Sequence, residues 1–416
     1  YPEAAPDLNA YENQLNQIKD HKIKKIAKLG NADWRLEGPT NIGGRINTVA
    51  IHPSNTNIML VGTAKGGIFK TSNNGLTWKP VFDDFAQLSV SKIVFDPNNS
   101  NILYAGTGDA NISGFPSVGD GLYKSEDAGD TWKKIGLSFK NVISDIYVTP
   151  QNSEVIFVSS MGVPYLRDRN RGLYKTINGG ITWRQVLFVS ESAGIIDIEV
   201  DHNNPNIIYA AAWNRIRNNT ESVTKGTDAK VYKSVNGGAS WKQLTNGLPL
   251  GKFSRIGLAM SKQNPEKLYA TYVDSLHRYH NTYKTIDGGK SWTELAYNSE
   301  QISAYGGPGQ DFGWYFGKIR VAPNNDDILY ILGVNLWEVT NNGAAWNNVM
   351  RNSTSVHVDN HDMQFIDNKT AVVATDGGLY KGKLSANGNW NFEDADDIAI
   401  SQFYRISINP HQNGVY

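Results

Sequence analysis

Three features of the 416-residue sequence predict an all-β chain folded as a β-propeller of four-stranded blades. A box of residues recurs along it, tryptophans recur at blade-length intervals, and a short alternating strand precedes each box. The box reads Ser/Thr, any, Asp/Asn, any, Gly, any, Ser/Thr, Trp. It is complete at Thr71-Asn73-Gly75-Thr77-Trp78, Ser125-Asp127-Gly129-Thr131-Trp132, Thr176-Asn178-Gly180-Thr182-Trp183, Ser234-Asn236-Gly238-Ser240-Trp241 and Thr285-Asp287-Gly289-Ser291-Trp292. Worn copies follow at Asn341-Gly343-Trp346 and Asn387-Trp390. Trp-to-Trp spacing runs from 44 residues (Trp346 to Trp390) to 58 (Trp183 to Trp241), which suits one four-stranded blade per repeat.

Residues 1–30 stand outside the repeats. Pro6-Asp7 can start a helix, and Leu8, Tyr11, Leu15, Ile18, Ile23, Ile26 and Leu29 recur near helical spacing before Gly30. This predicts a short N-terminal helix that covers an edge of the ring or docks a partner protein. Residues 31–416 form the propeller. Each repeat opens with a strand such as 46–51, 195–200 or 319–321. An Asn/Pro-rich turn (53–57, 97–101, 203–206, 323–327) leads into a second, more apolar strand. The third strand alternates, as in Gly67-Ile68-Phe69-Lys70, Gly172-Leu173-Tyr174-Lys175 and Gly378-Leu379-Tyr380-Lys381, so one face is buried. The box and its Trp complete the blade. Its Ser/Thr and Asp/Asn side chains are suited to bonding turn amides, Gly accepts positive φ, and Trp fills the seam between blades. Asn73, Trp78, Asp127, Trp132, Asn178, Trp183, Asn236, Trp241, Asp287 and Trp292 are therefore read as structural. An eighth repeat starts at 402–406, so either the natural protein continues or these residues complete a blade begun near 34–38.

Forty basic and forty acidic residues leave no net field, which argues against nucleic acid as a partner. The absence of Cys removes disulfides, thiol catalysis and thiolate metal sites. No run of about 18 apolar residues is long enough to span a bilayer, and a chain opening at Tyr1 fits an exported protein that has lost a signal peptide. No cofactor is expected; calcium at the Asp/Asn turns lacks a full ligand set.

Loops between second and third strands, and between successive blades, share one face of a propeller, and the long loops here are nearly all of that kind. They are rich in Arg and aromatic residues, which grip carboxylates and stack on sugars or peptide side chains. Arg167, Arg169, Trp213, Arg215, His277, Tyr279, Phe312, Trp314 and Tyr315 are the candidate ligand-binding residues. His357, Asp359 and His361 lie on one face if the segment is extended, a candidate metal site or a structural polar network. Asp376, Asp359 and Asp311 are the candidate catalytic carboxylates.

The boxes, the opening Gly38-Pro39-Thr40-Asn41-Ile42-Gly43-Gly44-Arg45, His357-Val358-Asp359-Asn360-His361 and Thr375-Asp376-Gly377-Gly378 together resemble the sortilin-like, Asp-box (BNR-like) propellers secreted by Bacteroidota. The box is also found in sialidases, xyloglucanase-type glycoside hydrolases and sortilin receptors. The resemblance implies a bacterial protein secreted or displayed on the outer cell surface, exported by type IX secretion. The xyloglucanase-type enzymes carry Thr-Asp-any-Gly-Gly in their first blade. Here the matching stretch is Thr63-Ala64-Lys65-Gly66-Gly67, with Ala64 at the carboxylate's place, while Asp376 keeps the motif elsewhere. The leading expectation is a non-catalytic propeller binding a glycan or a surface protein through its loop-rich face. The alternatives are a glycoside hydrolase with paired carboxylates and a scaffold subunit of a surface or secretion complex.

Overall fold

A computed structural model describes Asn13, Gln17 and residues 43–138, 141–307, 309, 311–350, 356–395 and 398–400. Apart from Asn13 and Gln17, the predicted N-terminal helix lies outside the described residues, as does the eighth repeat at 402–416.

Seven antiparallel four-stranded sheets follow one another along the chain, each running from inner to outer strand in chain order. Blade 1 is Ile46–Ile51, Met59–Thr63, Ile68–Thr71 and Lys79–Pro80; blade 7 is Asn360–Phe365, Thr370–Thr375, Gly378–Leu384 and Trp390–Asp394. Blades 2 to 6 have inner strands Val90–Phe95, Val142–Val148, Ala193–Val200, Ile256–Met260 and Lys318–Val321. The second strands are the most completely buried, as in Met59–Thr63, Ile208–Asn214 and Leu268–Val273. They are flanked on both edges by strands and on both faces by neighbouring blades, so near-continuous apolar runs replace alternation there.

Seven apolar clusters fill the ring. One packs Leu60 and Ile68 of blade 1 against Ile93, Tyr123 and Trp132 of blade 2, and another packs Val49, Met59 and Val61 of blade 1 against Val372, Ala374 and Leu379 of blade 7. Two of the box indoles bond across a seam. Trp183 Nε1 donates to Ile135 O of the preceding blade at 3.3 Å, and Trp241 Nε1 to Val186 O at 2.8 Å. In the first box, Gly75 N donates to Thr71 Oγ1 at 3.0 Å and Thr77 N to Asn73 Oδ1 at 3.0 Å. In the second, Asp127 Oδ1 accepts from Ser125 and from Thr131 N, both at 2.8 Å, and Oδ2 accepts from the Thr131 hydroxyl at 2.5 Å. The box acids are thus spent on their own turns. Gly129 has φ +91°, and a Cβ there would lie 2.5 Å from Leu60 of the neighbouring blade. A third-strand lysine adds a clasp to the next blade's box: Lys175 Nζ reaches Gly237 O at 3.0 Å, and Lys381 Nζ reaches Asn74 Oδ1 at 2.7 Å.

Five of the seven inner strands carry a bulge at their loop-face end. Register slips past Asn47, Ser91, Ser144, Ile196 and His361 in blades 1, 2, 3, 4 and 7. A bulge re-aims the side chains around it. Below the bulges, Lys92, Asp145, Asp197, Glu199, Lys318, Arg320 and Asp362 face a central channel of about 490 Å³. Lys92 pairs with Asp145 at 2.7 Å and Arg320 with Asp362 at 2.6 Å. Burial, then the charge of Asp145, pushes Asp197 up to about 6; burial, then Asp197, pushes Glu199 up to about 8. Burial brings Lys318 down to about 7 against the opposing pull of Asp362.

Candidate functional site

On the loop face, over the junction of blades 7 and 1, a cavity of about 420 Å³ opens. Its floor and walls come from four places in the chain: Arg45, Ala64 and Lys65 of blade 1, the Asp109–Phe115 loop of blade 2, the Phe312–Phe316 segment entering blade 6, and Asp359 with Asp376 of blade 7. Arg45 grips Asp376 with both ends of its fork, Nε to Oδ1 and Nη2 to Oδ2, each at 2.6 Å. Its remaining Nη1 donates to the Tyr315 hydroxyl at 2.5 Å. His361 is 3% exposed and sets Nε2 on Asp376 Oδ1 at 2.5 Å. Its bulge position aims it at the loop face.

Two carboxyls in this cavity are driven apart. For Asp376, burial raises the pKa, but the hydrogen bonds from His361 and Arg45 outweigh it and hold the group well below the usual carboxylate range. Asp359 is half-buried and has no ion-pair partner among the described residues; burial and then the charge of Asp376 raise it. Burial lowers the pKa of His361 against the opposing pull of Asp376. Opposed environments of this kind separate a proton-holding acid from a permanently ionised partner. Asp359 also has φ +71°, a left-handed backbone that a non-glycine residue keeps only where surroundings impose it. Its N–H is held by Val334 O at 2.9 Å and its carbonyl by Asp376 N at 3.1 Å.

The ligand-binding residues predicted from the sequence divide sharply. Phe312, Trp314 and Tyr315 line the cavity. Trp213 is a correction: it is fully buried, with Nε1 on Thr224 O at 2.9 Å. Arg215 is another, 1% exposed and spent on the carbonyls of Ile216 and Val223 at 3.1 and 3.0 Å while stacking on Trp314. Tyr279 packs edge-on to Trp346 and bonds Thr282, and His277 Nε2 meets Thr224 Oγ1 at 2.7 Å. Long loops need small cores of their own, and these groups supply them. Arg167 pairs with Glu221 at 2.6 Å, and Arg169 lies over Phe188, both away from the cavity. Asp311 stands outside it too, 3.5 Å from Arg278.

The His357, Asp359, His361 triad does not assemble as a metal site. The segment is not extended: Asp359 is left-handed, the strand begins only at Asn360, and the bulge at His361 breaks the alternation. His357 is exposed with Nδ1 at Val358 O, while His361 serves Asp376. Among the described residues no three His, Asp or Glu side chains are placed to share a metal ion. The cavity residues missed in the sequence are Lys65, Asp109 and Phe115. Phe115, 87% exposed between Gly114 and Pro116, carried a signal: a large apolar residue at the tip of a small-residue loop. Among the described residues no helix is long and apolar enough to cross a membrane.

Comparison with known proteins places this geometry. The sortilin (Vps10; neurotensin receptor 3) family model matches residues 120–274. Xyloglucanase Xgh74A of Acetivibrio thermocellus is 23% identical over 338 residues, covering 74% of this chain and 38% of that protein. A xyloglucanase of Hypocrea jecorina is 24% identical over 342 residues, covering 73% and 38%. The chain thus spans less than half the length of the curated relatives it matches. The solved GH74 xyloglucanase of Xanthomonas campestris superposes with TM-score 0.65 at 17% identity, over 88% of this chain and 56% of that one. With seven consecutive four-stranded blades and these relatives, the chain is a sortilin-like and xyloglucanase-like β-propeller.

Proposed function

We propose that this propeller is a secreted protein that acts on a polysaccharide as a glycoside hydrolase, with the loop-face cavity as its sugar site. One observation carries the reading: an aromatic-walled cavity that holds Asp359, whose proton is retained above the ordinary carboxylate range, beside the ionised Asp376. Glycoside hydrolysis needs a carboxyl that protonates the leaving oxygen and a second carboxylate that activates water or stabilises the cationic transition state. Asp359 suits the first role. Asp376, locked by Arg45 and His361, suits electrostatic stabilisation, and Asp109, which lines the same cavity, is the carboxylate left to take a proton from water. Phe115, Phe312 and Trp314 offer ring faces for sugars. The named activity of the relatives, xyloglucan cleavage, makes xyloglucan the first polysaccharide to try.

Binding without cleavage is the second reading, favoured by Ala64, which lines the same cavity where the resembling enzymes carry a carboxylate. Reducing-end release from xyloglucan, measured beside affinity electrophoresis on the same polymer, separates the two. Turnover abolished in Asp359→Asn supports hydrolysis; retardation with no turnover in the wild type supports binding alone; neither rejects both. Docking through residues 1–30 is a further proposal for partners, resting on the sequence alone.

A further inference from the structure

Among the described residues blades 1 and 7 are each complete in four consecutive strands, and they meet through side chains and through the segment after blade 7, whose Ile398 and Ile400 pack with Val49, Met59 and Val61. Every other pair of neighbouring blades is joined directly by the chain. An opening at those six junctions leaves the separated edges tethered by a short connection, whereas opening at the blade 7–blade 1 seam frees edges some three hundred residues apart in sequence. Reclosure there carries the largest loop-entropy cost, which marks the seam as the favoured place for sub-global opening.

Among the described residues, polar clasps hold it at three levels. At the rim of the box turns Lys381 Nζ donates to Asn74 Oδ1 at 2.7 Å. In the channel wall Val49 N donates to Asp362 Oδ2 at 3.1 Å. On the loop face Arg45 takes Asp376 in its fork at 2.6 Å. This last clasp is also part of the sugar site's wall, with Lys65 on the blade 1 side and Asp359 on the blade 7 side. Opening the seam splits the cavity in two.

We propose that the ligand of this site grips both sides of the seam and locks the ring, so that occupancy and ring closure are thermodynamically linked. The inference rests on the glycan reading above. A molecule that binds only the closed ring suppresses opening by the factor 1 + [L]/Kd, about tenfold at a concentration roughly nine times Kd.

Hydrogen exchange of the whole chain, read by mass spectrometry with and without xyloglucan oligosaccharides at that concentration, tests it. Amides of Ile46–Ile51, Met59–Thr63, Asn360–Phe365 and Thr370–Thr375 slow about tenfold, while Ile256–Met260 and Leu268–Val273 in blade 5 keep their rates. Lys381→Met, outside the cavity, speeds exchange of the same four seam strands in the free protein, and the oligosaccharides restore it. Protection spread evenly over all blades, or confined to the cavity loops, overturns the lock and leaves glycan binding standing. Failure of the oligosaccharides to bind, measured by calorimetry, overturns the glycan reading and the lock together.

Discussion

Arg45 and Asp376 lie 331 positions apart in sequence and meet in a two-point ion pair with both N–O distances at 2.6 Å. The pair joins the first blade to the last and forms part of the candidate site, so its removal has a structural and a chemical consequence. In Asp376→Asn one charge of the fork is lost and Arg45 is left partly buried and unpaired. The expected cost is about 1–2 kcal/mol, below the range for fully buried pairs because the Arg45 side chain is 35% exposed. Asp376 has a depressed pKa when folded, so its contribution is present above the unfolded carboxylate range near 4 and is lost as pH falls through the folded value. Urea midpoints measured downward from pH 6 fall less steeply in Asp376→Asn than in the wild type.

Asp359→Asn removes the carboxyl of raised pKa while keeping a residue that tolerates φ +71°. On the proposed hydrolase reading, polysaccharide cleavage drops by at least about a hundredfold, as for loss of a general acid, and the melting temperature stays close to the wild type's. Because the Asp359 pKa is raised, wild-type kcat/KM holds at pH values where an ordinary carboxyl has already lost its proton, and declines on the alkaline side. Rates of sugar release against pH check both points.

Phe115→Ala deletes an exposed ring and leaves the fold alone. Affinity for the polysaccharide weakens by roughly two- to tenfold, the worth of one aromatic contact, with no shift in thermal unfolding. Equal retardation of both proteins in affinity gels removes Phe115 from the site.

Glu199 in the channel has its pKa raised to about 8, and a carboxyl raised in the folded state contributes stability below its unfolded pKa and loses it as pH rises through the folded one. Glu199→Gln therefore matches the wild type in urea midpoint near pH 4 and exceeds it near pH 9. Lys318, lowered to about 7, acts in the opposite sense and is common to both proteins, so the difference between them isolates Glu199.

Gly129→Ala forces a side chain onto a backbone at φ +91° and into Leu60 of the adjoining blade. A loss of about 1–3 kcal/mol is expected from chemical denaturation, with blades 1 and 2 exchanging faster than blade 5.

The fold was legible because propeller repeats obey local rules. A box closes on itself through bonds spanning four residues, as between Thr71 and Gly75, and the indole that follows lies within reach of the preceding blade, so period and residue type alone set the architecture. The site was only partly legible. Phe312, Trp314 and Tyr315 were found by their loop position, Asp359 by its spacing from His357 and His361 and Asp376 by its Thr-Asp-Gly-Gly motif, but Trp213, Arg215 and Tyr279 have the same composition and location in sequence as the loop residues and serve as loop cores. Burial is a property of what packs over a residue, and no local pattern reports it.

The sequence by itself determined the blade architecture and the order of the repeats, since each blade is built from contiguous strands whose pairing is nearest-neighbour, while the count of seven complete blades among the described residues came from the structure. Only the tertiary structure decided that Arg45 faces Asp376, that a bulge turns His361 onto that carboxylate, and that burial beside Asp376 raises the pKa of Asp359. These depend on closing a ring that brings residues more than three hundred positions apart within hydrogen-bond distance.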